Sequence, residues 1–279
     1  MKFVQFSDGS QRHLGIEDGR EIVSLGSHDL AELLAKGADL AEFAGQHKAQ
    51  GRRFDPDQIA YLPPLGNPPK IICIGLNYAD HASEAHFKLP DYPTVFNRFN
   101  TTLVGHKQNI VRPLCSDSLD YEGEMAVVLK GGGRHIKKRD ALKWVAGYSI
   151  FNDGSVREYQ FKSPQWTVGK NFDATGGFGP ALVTPDELPA GGHGLNLETR
   201  LNGKIVQSAN TKDMIFDVAT LIATLSEAIS LQPGDVIVSG TPAGIGWARE
   251  PKLLMHHGDV CEISIQGIGT LVNTVADEK

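Results

Sequence analysis

The sequence predicts an α+β fold dominated by strands, and three observations carry that expectation. Short apolar runs of strand character outnumber stretches with helical spacing. The 31 glycines supply turn positions for many short strands. Strands also succeed one another without a helix between each pair, which argues against an alternating parallel α/β order. At 279 residues the chain can bury a substantial core, as one large domain or two unequal ones.

Residues 1–62 read as a small N-terminal unit. Short alternating runs at 3–6, 13–16 and 21–23 are separated by Asp8-Gly9 and Asp18-Gly19, which are hairpin signals. Ser27 and Asp29 can cap a short helix carrying Leu30, Leu33 and Leu34, with Gly37 stopping it. Residues 63–69 hold four prolines, each fixing φ and removing a donor, so this segment is expected to be a linker. A larger domain then fills 70–279.

Within it, 70–75 is short, apolar and β-branched, as a buried strand requires. A short helix is expected over 77–85, strands over 122–130 and 144–152, and a hairpin over 195–206 turning at Asn202-Gly203. Met214, Ile215, Val218, Leu221, Ile222, Leu225 and Ile229 recur at helical spacing, with Pro233-Gly234 ending the run. Strands return at 236–238, 260–265 and 271–275. Gly131, Gly132 and Gly133 lack the Lys-Ser/Thr of a phosphate loop and read as a turn. Residues 240–246 lack it too, although their glycines would let backbone approach a ligand closely.

Composition narrows the function classes. Hydrophobic content of 41% and charged content of 22% are ordinary for a globular chain. A net charge of -6, with pI near 5.9, gives no basic footprint for nucleic acid. The one tight basic cluster, Lys137-Lys138-Arg139, reads as a solvated loop. Cys73, Cys115 and Cys261 are widely spaced and odd in number, which fits neither a disulfide framework nor a zinc site. The N-terminal residues turn polar too early for a signal peptide, and no apolar run nears the ~18 residues of a membrane helix. A cytoplasmic protein without membrane or nucleic-acid partners is expected.

The chemistry concentrates in Glu122-Gly123-Glu124. Strand alternation points Glu122 and Glu124 the same way, and like carboxylates side by side repel unless a cation lies between them. Asp153 closes the second apolar run. Three oxygen donors at strand ends suit a hard cation such as Mg²⁺ or Mn²⁺. On spacing alone a solvated strand face is the commoner reading of such a pair.

Several motifs then fall into one order. They run Asn77-Tyr-Ala-Asp-His81-Ala-Ser-Glu84, Glu122-Gly-Glu124, Asn152 to Gln160, Trp166 to Asp173, Asn202-Gly203 with Gln207, and Gly240-Thr241-Pro242. Over residues 70–275 this series resembles the fumarylacetoacetate hydrolase family. The resemblance implies a mixed β-sandwich roll preceded by a small N-terminal α/β domain, usually in a homodimer. It implies metal ligation by Glu122, Glu124 and Asp153, and a catalytic pair His81 and Glu84, neighbours at i and i+3 of a helix. Lys170 and Gln160 would complete the catalytic set, with Arg157, Thr241 and Arg98 meeting substrate. Two positions depart from the family pattern. Phe-x-Lys is replaced by Phe96-Asn97-Arg98, and the β-branched residue after the metal Asp is Gly154, expected to loosen the strand.

The implied reaction is hydrolysis of a carbon–carbon bond in a 2,4-dioxo acid of the acylpyruvate or fumarylpyruvate type. His81 would activate water while Lys170 and Gln160 stabilise the oxyanion. The same site could serve a 2-hydroxyhepta-2,4-diene-1,7-dioate-type isomerase or an oxaloacetate-type decarboxylase. A non-catalytic protein that binds a small acid is the reading from another class.

Overall fold

Among the described residues, two large sheets, a two-stranded pairing of Leu119–Asp120 with Ser155–Val156 and a handful of short helices build the protein. The structure is a computed structural model and describes residues 1–80 and 90–279. The larger sheet has 12 strands, and its central run places Gly176–Val183, Val145–Asp153, Gly123–Gly133 and Leu231–Val238 side by side. The N-terminal strands join this sheet through Lys2–Ser7, which pairs antiparallel with Gly176–Val183, Phe3 opposite Leu182. The smaller sheet has five strands, in the order Lys204–Asn210, Asn196–Leu201, Val260–Ile265, Gly269–Asp277, Ile110–Arg112. Strands dominate, as the sequence predicts, and residues 62–70 carry neither helix nor strand.

The central strands are apolar without interruption because both of their faces are covered. Met125, Val127 and Leu129 share a core with Ile150 and with Leu197, Ile263 and Leu271 of the smaller sheet. Ala126, Val128 and Phe151 point the other way, into a second core closed by Leu30, Leu33 and Leu34 of the helix Leu30–Ala35. Register sets Gly123 opposite Asn152 and Glu124 opposite Phe151. By alternation, Glu122, Glu124 and Asp153 all lie on the face of that second core, at one end of the strand pair.

Most expected elements are present, including the hairpin at Asn202 and Gly203, whose φ values of 52° and 76° suit a type I′ turn. The cap at Asp29 accepts from the backbone of Ala31 and Glu32. Three expectations need correction. The long helix spans only Val218–Ala228, because Asp217 caps it through Thr220 N while Met214 bridges to Tyr78 in extended backbone. Pro233 and Gly234 do not end that helix but lie inside the strand Leu231–Val238, where register shifts opposite Lys130. Gly131–Gly133 is the irregular end of a strand rather than a turn, with φ of 153°, 151° and 86°. A second N-terminal helix, Leu40–Lys48, went unread although Asp39 caps it in the same way as Asp29. The helix expected over 77–85 falls mostly on residues outside those described. Among the described residues, no helix is long and apolar enough to cross a membrane.

The 12-stranded and five-stranded sheets approach closely at Gly123, where a Cβ would stand 2.3 Å from Thr199 Oγ1 and 3.1 Å from Ile263 Cγ2. Gly123→Ala should therefore overpack the junction and destabilise the protein by about 1–3 kcal/mol. Urea unfolding followed by circular dichroism checks this. An unchanged midpoint would show that the sheets are not in tight contact here.

Candidate metal centre and active site

The strand pair delivers three carboxylates to one place. One oxygen from each of Glu122, Glu124 and Asp153 lies within 4.8 Å of the others, and all three residues are buried. Asp153 N donates to the Glu122 carbonyl at 2.9 Å, and Asn152 Oδ1 accepts from Glu122 N at 3.0 Å, so antiparallel pairing fixes their separation. The solvated-face alternative is excluded by this burial. An all-oxygen, anionic donor set of this kind fits a hard divalent cation.

Three buried cations surround the acids. Lys170 Nζ bonds Glu122 Oε2 at 2.7 Å and Asp153 Oδ2 at 2.6 Å. Arg157 Nη1 pairs with Glu122 Oε1 at 2.6 Å, and its Nε donates to Asp120 Oδ2 at 2.8 Å. Arg98 Nη1 donates to Asp153 Oδ1 at 2.5 Å and to the Gly154 carbonyl at 2.9 Å. Counted as ionised, the four carboxylates of this described cluster, Asp120 included, face three cations, an excess of one negative charge unless Glu124 takes up a proton. A divalent ion would reverse the sign and favour an anionic ligand.

That excess charge is felt at Glu124. Burial, then Asp153 and Glu122, push its carboxyl well above the ordinary value, against Lys170 and the Gly240 N–H that donates to Oε2. Burial alone would lower the Lys170 ammonium, but Asp153 and Glu122 outweigh it and hold it protonated. Cys73, buried beneath the acids, has its thiol pushed well up by burial, Asp153 and Glu124, so it is no nucleophile.

Local backbone explains how each side chain arrives. Arg157 and Gln160 sit at i and i+3 of the one-turn helix Arg157–Gln160, and Arg157 Nη1 donates to Gln160 Oε1 at 2.8 Å. The turn carrying Lys170 can approach because Gly169 has no Cβ; one would stand 2.2 Å from Gln160 N. Thr241 Oγ1 donates to the Gly123 carbonyl at 3.0 Å and accepts from Gln207 Nε2 at 2.9 Å. Glu122, Glu124, Arg157, Gln160, Lys170 and Thr241 together line a cavity. His81 and Glu84 lie outside the described residues.

Arg98 departs from its expected role. It is absent from the cavity wall, and its guanidinium is spent on Asp153, Gly154, Thr175 Oγ1 at 2.7 Å and Thr102 Oγ1 at 3.3 Å. These contacts tie its guanidinium to the Asp153 carboxylate. The strand ends at Asp153, and Gly154 separates it from the short strand Ser155–Val156. A Cβ there would stand 2.2 Å from the Thr175 carbonyl, so the glycine permits close packing beside the Arg98 contact.

Sequence reasoning missed Asp120, whose Oδ1 accepts from Gly246 N at 2.8 Å and whose Oδ2 accepts from Trp247 N at 2.9 Å. Its signal was available, since it precedes Glu122 by two residues. Asn77 was also missed as a fastener. Its amide donates to the Ser239 carbonyl at 2.7 Å, next to the Gly240 N–H that reaches Glu124.

Comparison with known proteins agrees with this geometry. The family model described as fumarylacetoacetate (FAA) hydrolase C-terminal matches residues 70–276. The mitochondrial oxaloacetate tautomerase Fahd2a of Rattus norvegicus is 37% identical over 287 residues, covering 99% of this chain and 91% of that protein. Among solved structures, a fumarylacetoacetate hydrolase from Exiguobacterium antarcticum superposes with TM-score 0.86 at 33% identity, covering 100% of both chains. A maleylpyruvate hydrolase from Sphingobium sp. SYK-6, in complex with manganese (II) ion and pyruvate, gives TM-score 0.84 at 25% identity, again covering 100% of both.

Two outcomes follow. Arg98→Met removes one partner of a buried pair and should destabilise the metal-free protein by about 3–5 kcal/mol. It should also weaken Mn²⁺ binding about 10–100-fold by calorimetry, as loss of a ligand-orienting group does. Unchanged affinity would free Asp153 from dependence on Arg98. The raised carboxyl of Glu124 means that the folded, metal-free protein holds a proton there that the unfolded chain releases. That contribution favours the fold at low pH and is withdrawn as pH rises from the ordinary value of 4.5 toward the raised one. Glu124→Gln should therefore flatten the pH dependence of metal-free stability above that value, measured by thermal melts at stepped pH. An identical slope in both proteins would contradict it.

Proposed function

The chain belongs to the fumarylacetoacetate hydrolase family, and from that premise we propose that it is a divalent-metal-dependent enzyme acting on small 2-oxo acids through their enol forms. The reaction we assign is keto–enol tautomerisation of the oxaloacetate type. The observation that carries this reading is the convergence of Glu122, Glu124 and Asp153 beside a cavity that Glu122, Glu124 and protonated Lys170 line.

Glu122, Glu124 and Asp153 would hold Mg²⁺ or Mn²⁺. When bound, such an ion supplies Lewis-acid stabilisation to an oxygen that gains negative charge. Lys170, fixed by two carboxylates, presents a permanent positive charge to the same side of the substrate. Arg157 is held rigid by Asp120 and Glu122 and orients Gln160, whose amide nitrogen remains for a substrate oxygen. His81, oriented by Glu84, is assigned by family resemblance to move the proton between carbon and oxygen. Tautomerisation needs no attacking water. The rat relative, similar along nearly the whole chain, bears the tautomerase name.

Carbon–carbon bond hydrolysis of a 2,4-dioxo acid, the leading expectation from sequence, becomes the second reading. The manganese- and pyruvate-bound maleylpyruvate hydrolase of like fold favours it. We further propose a homodimer, after the family pattern. A reducing compartment such as the cytoplasm suits the three free cysteines, while the rat relative is named mitochondrial.

The test follows enol and keto oxaloacetate by ultraviolet absorbance and deuterium exchange at C3, with Mg²⁺ or Mn²⁺ present. Catalysed exchange should disappear in Glu122→Gln and Asp153→Asn, with folding preserved by circular dichroism, and on adding strong chelator. Full activity under chelator would defeat the reading. Faster cleavage of 2,4-dioxo acids than exchange of oxaloacetate would install hydrolysis instead.

A further inference from the structure

The reaction cavity and an open hollow beside it share three wall residues, Phe96, Phe161 and Trp166. These aromatics form the partition between the two spaces. Phe161 is half exposed and sits at the rim. Trp166 is the fixed member. Its indole lies over Gly75, where a Cβ would stand 2.5 Å from Cζ3 and 2.9 Å from Cη2, so the absence of a side chain at 75 makes the slot it occupies. Phe96 meets it edge-on, with centroids 5.5 Å apart, and Lys170 Nζ lies 5.0 Å from the centre of the Phe96 ring. The Trp166 carbonyl accepts from Lys170 N at 3.1 Å. One turn of chain thus presents an ammonium to the acids and an indole to the cavity wall.

The cavity is accordingly polarised. Charged groups gather around Glu122 and Lys170, while Ile74, Leu76, Phe96 and Trp166 give the wall its apolar surface. A 2-oxo acid would enter with its oxygens toward the charged groups and its carbon tail toward the indole. We propose that Trp166 is a specificity-determining residue that ends the cavity and limits this enzyme to short-chain 2-oxo acids. The proposal rests on the functional reading above and adds the feature that sets substrate length. Without the indole the cavity would open into the hollow, and a longer apolar tail would have somewhere to lie.

The experiment measures calorimetric binding of oxalate, 2-oxobutanoate and 2-oxooctanoate to Mn²⁺-loaded wild type, Trp166→Ala and Trp166→Phe. Wild type should bind the short acids and reject the long one. Trp166→Ala should raise 2-oxooctanoate affinity about tenfold or more and change oxalate affinity less than about threefold. Trp166→Phe, a smaller ring in the same slot, should fall between them and decides the matter if the alanine variant does not fold. Parallel changes for short and long acids, or a wild type indifferent to length, would overturn the role of Trp166 while leaving the metal-site reading in place. Failure of wild type to bind oxalate at all would remove that reading and this proposal together.

Discussion

The mutual repulsion of Glu122, Glu124 and Asp153 is the constraint around which this protein is arranged. Three carboxylates brought so close inside a protein are tolerated only if opposite charge reaches each of them. Lys170 bridges two, Arg157 grips Glu122, and Arg98 grips Asp153. Glu124 accepts a backbone N–H from Gly240, and burial, then Asp153 and Glu122, push its carboxyl up against the pull of Lys170. Counted as ionised, the described cluster carries one excess negative charge, which a bound cation would relieve as a proton on Glu124 does without it.

The fold supplies the rigidity this requires. Strands buried on both faces cannot slide without exposing a whole row of apolar side chains, so the register that faces Glu124 with Phe151 also fixes the acids. The polar support runs outward from there. Asp120 ties Arg157 to the backbone at Gly246 and Trp247, and Gln207 ties Thr241 to Gly123 through both ends of its amide. Glycines at 123, 154 and 169 stand where these layers meet, each with a neighbouring atom closer than a side chain could allow.

Much of this was legible in the sequence. Strand period alone put Glu122 and Glu124 on one face, and the end of the next apolar run pointed to Asp153. Turn chemistry at Asn202-Gly203 and the cap at Asp29 were local signals with local consequences. What stayed hidden depends on long-range geometry. The shortening of the helix before Val218 follows from Met214 bridging to Tyr78, far away in the chain. The role of Arg98 follows from Thr175 and Gly154 crowding behind Asp153, and no spacing rule reports that. Gly131–Gly133 resembles a turn in composition, yet a neighbouring strand keeps it extended. The Trp166 partition is likewise visible only once Gly75 is seen beneath it.

The account's central claim is that three buried side chains share one doubly charged ion. Anomalous diffraction from crystals soaked in Mn²⁺ tests it most directly. A single strong peak enclosed by Glu122, Glu124 and Asp153 is the predicted result, and an empty site with manganese bound elsewhere would contradict it.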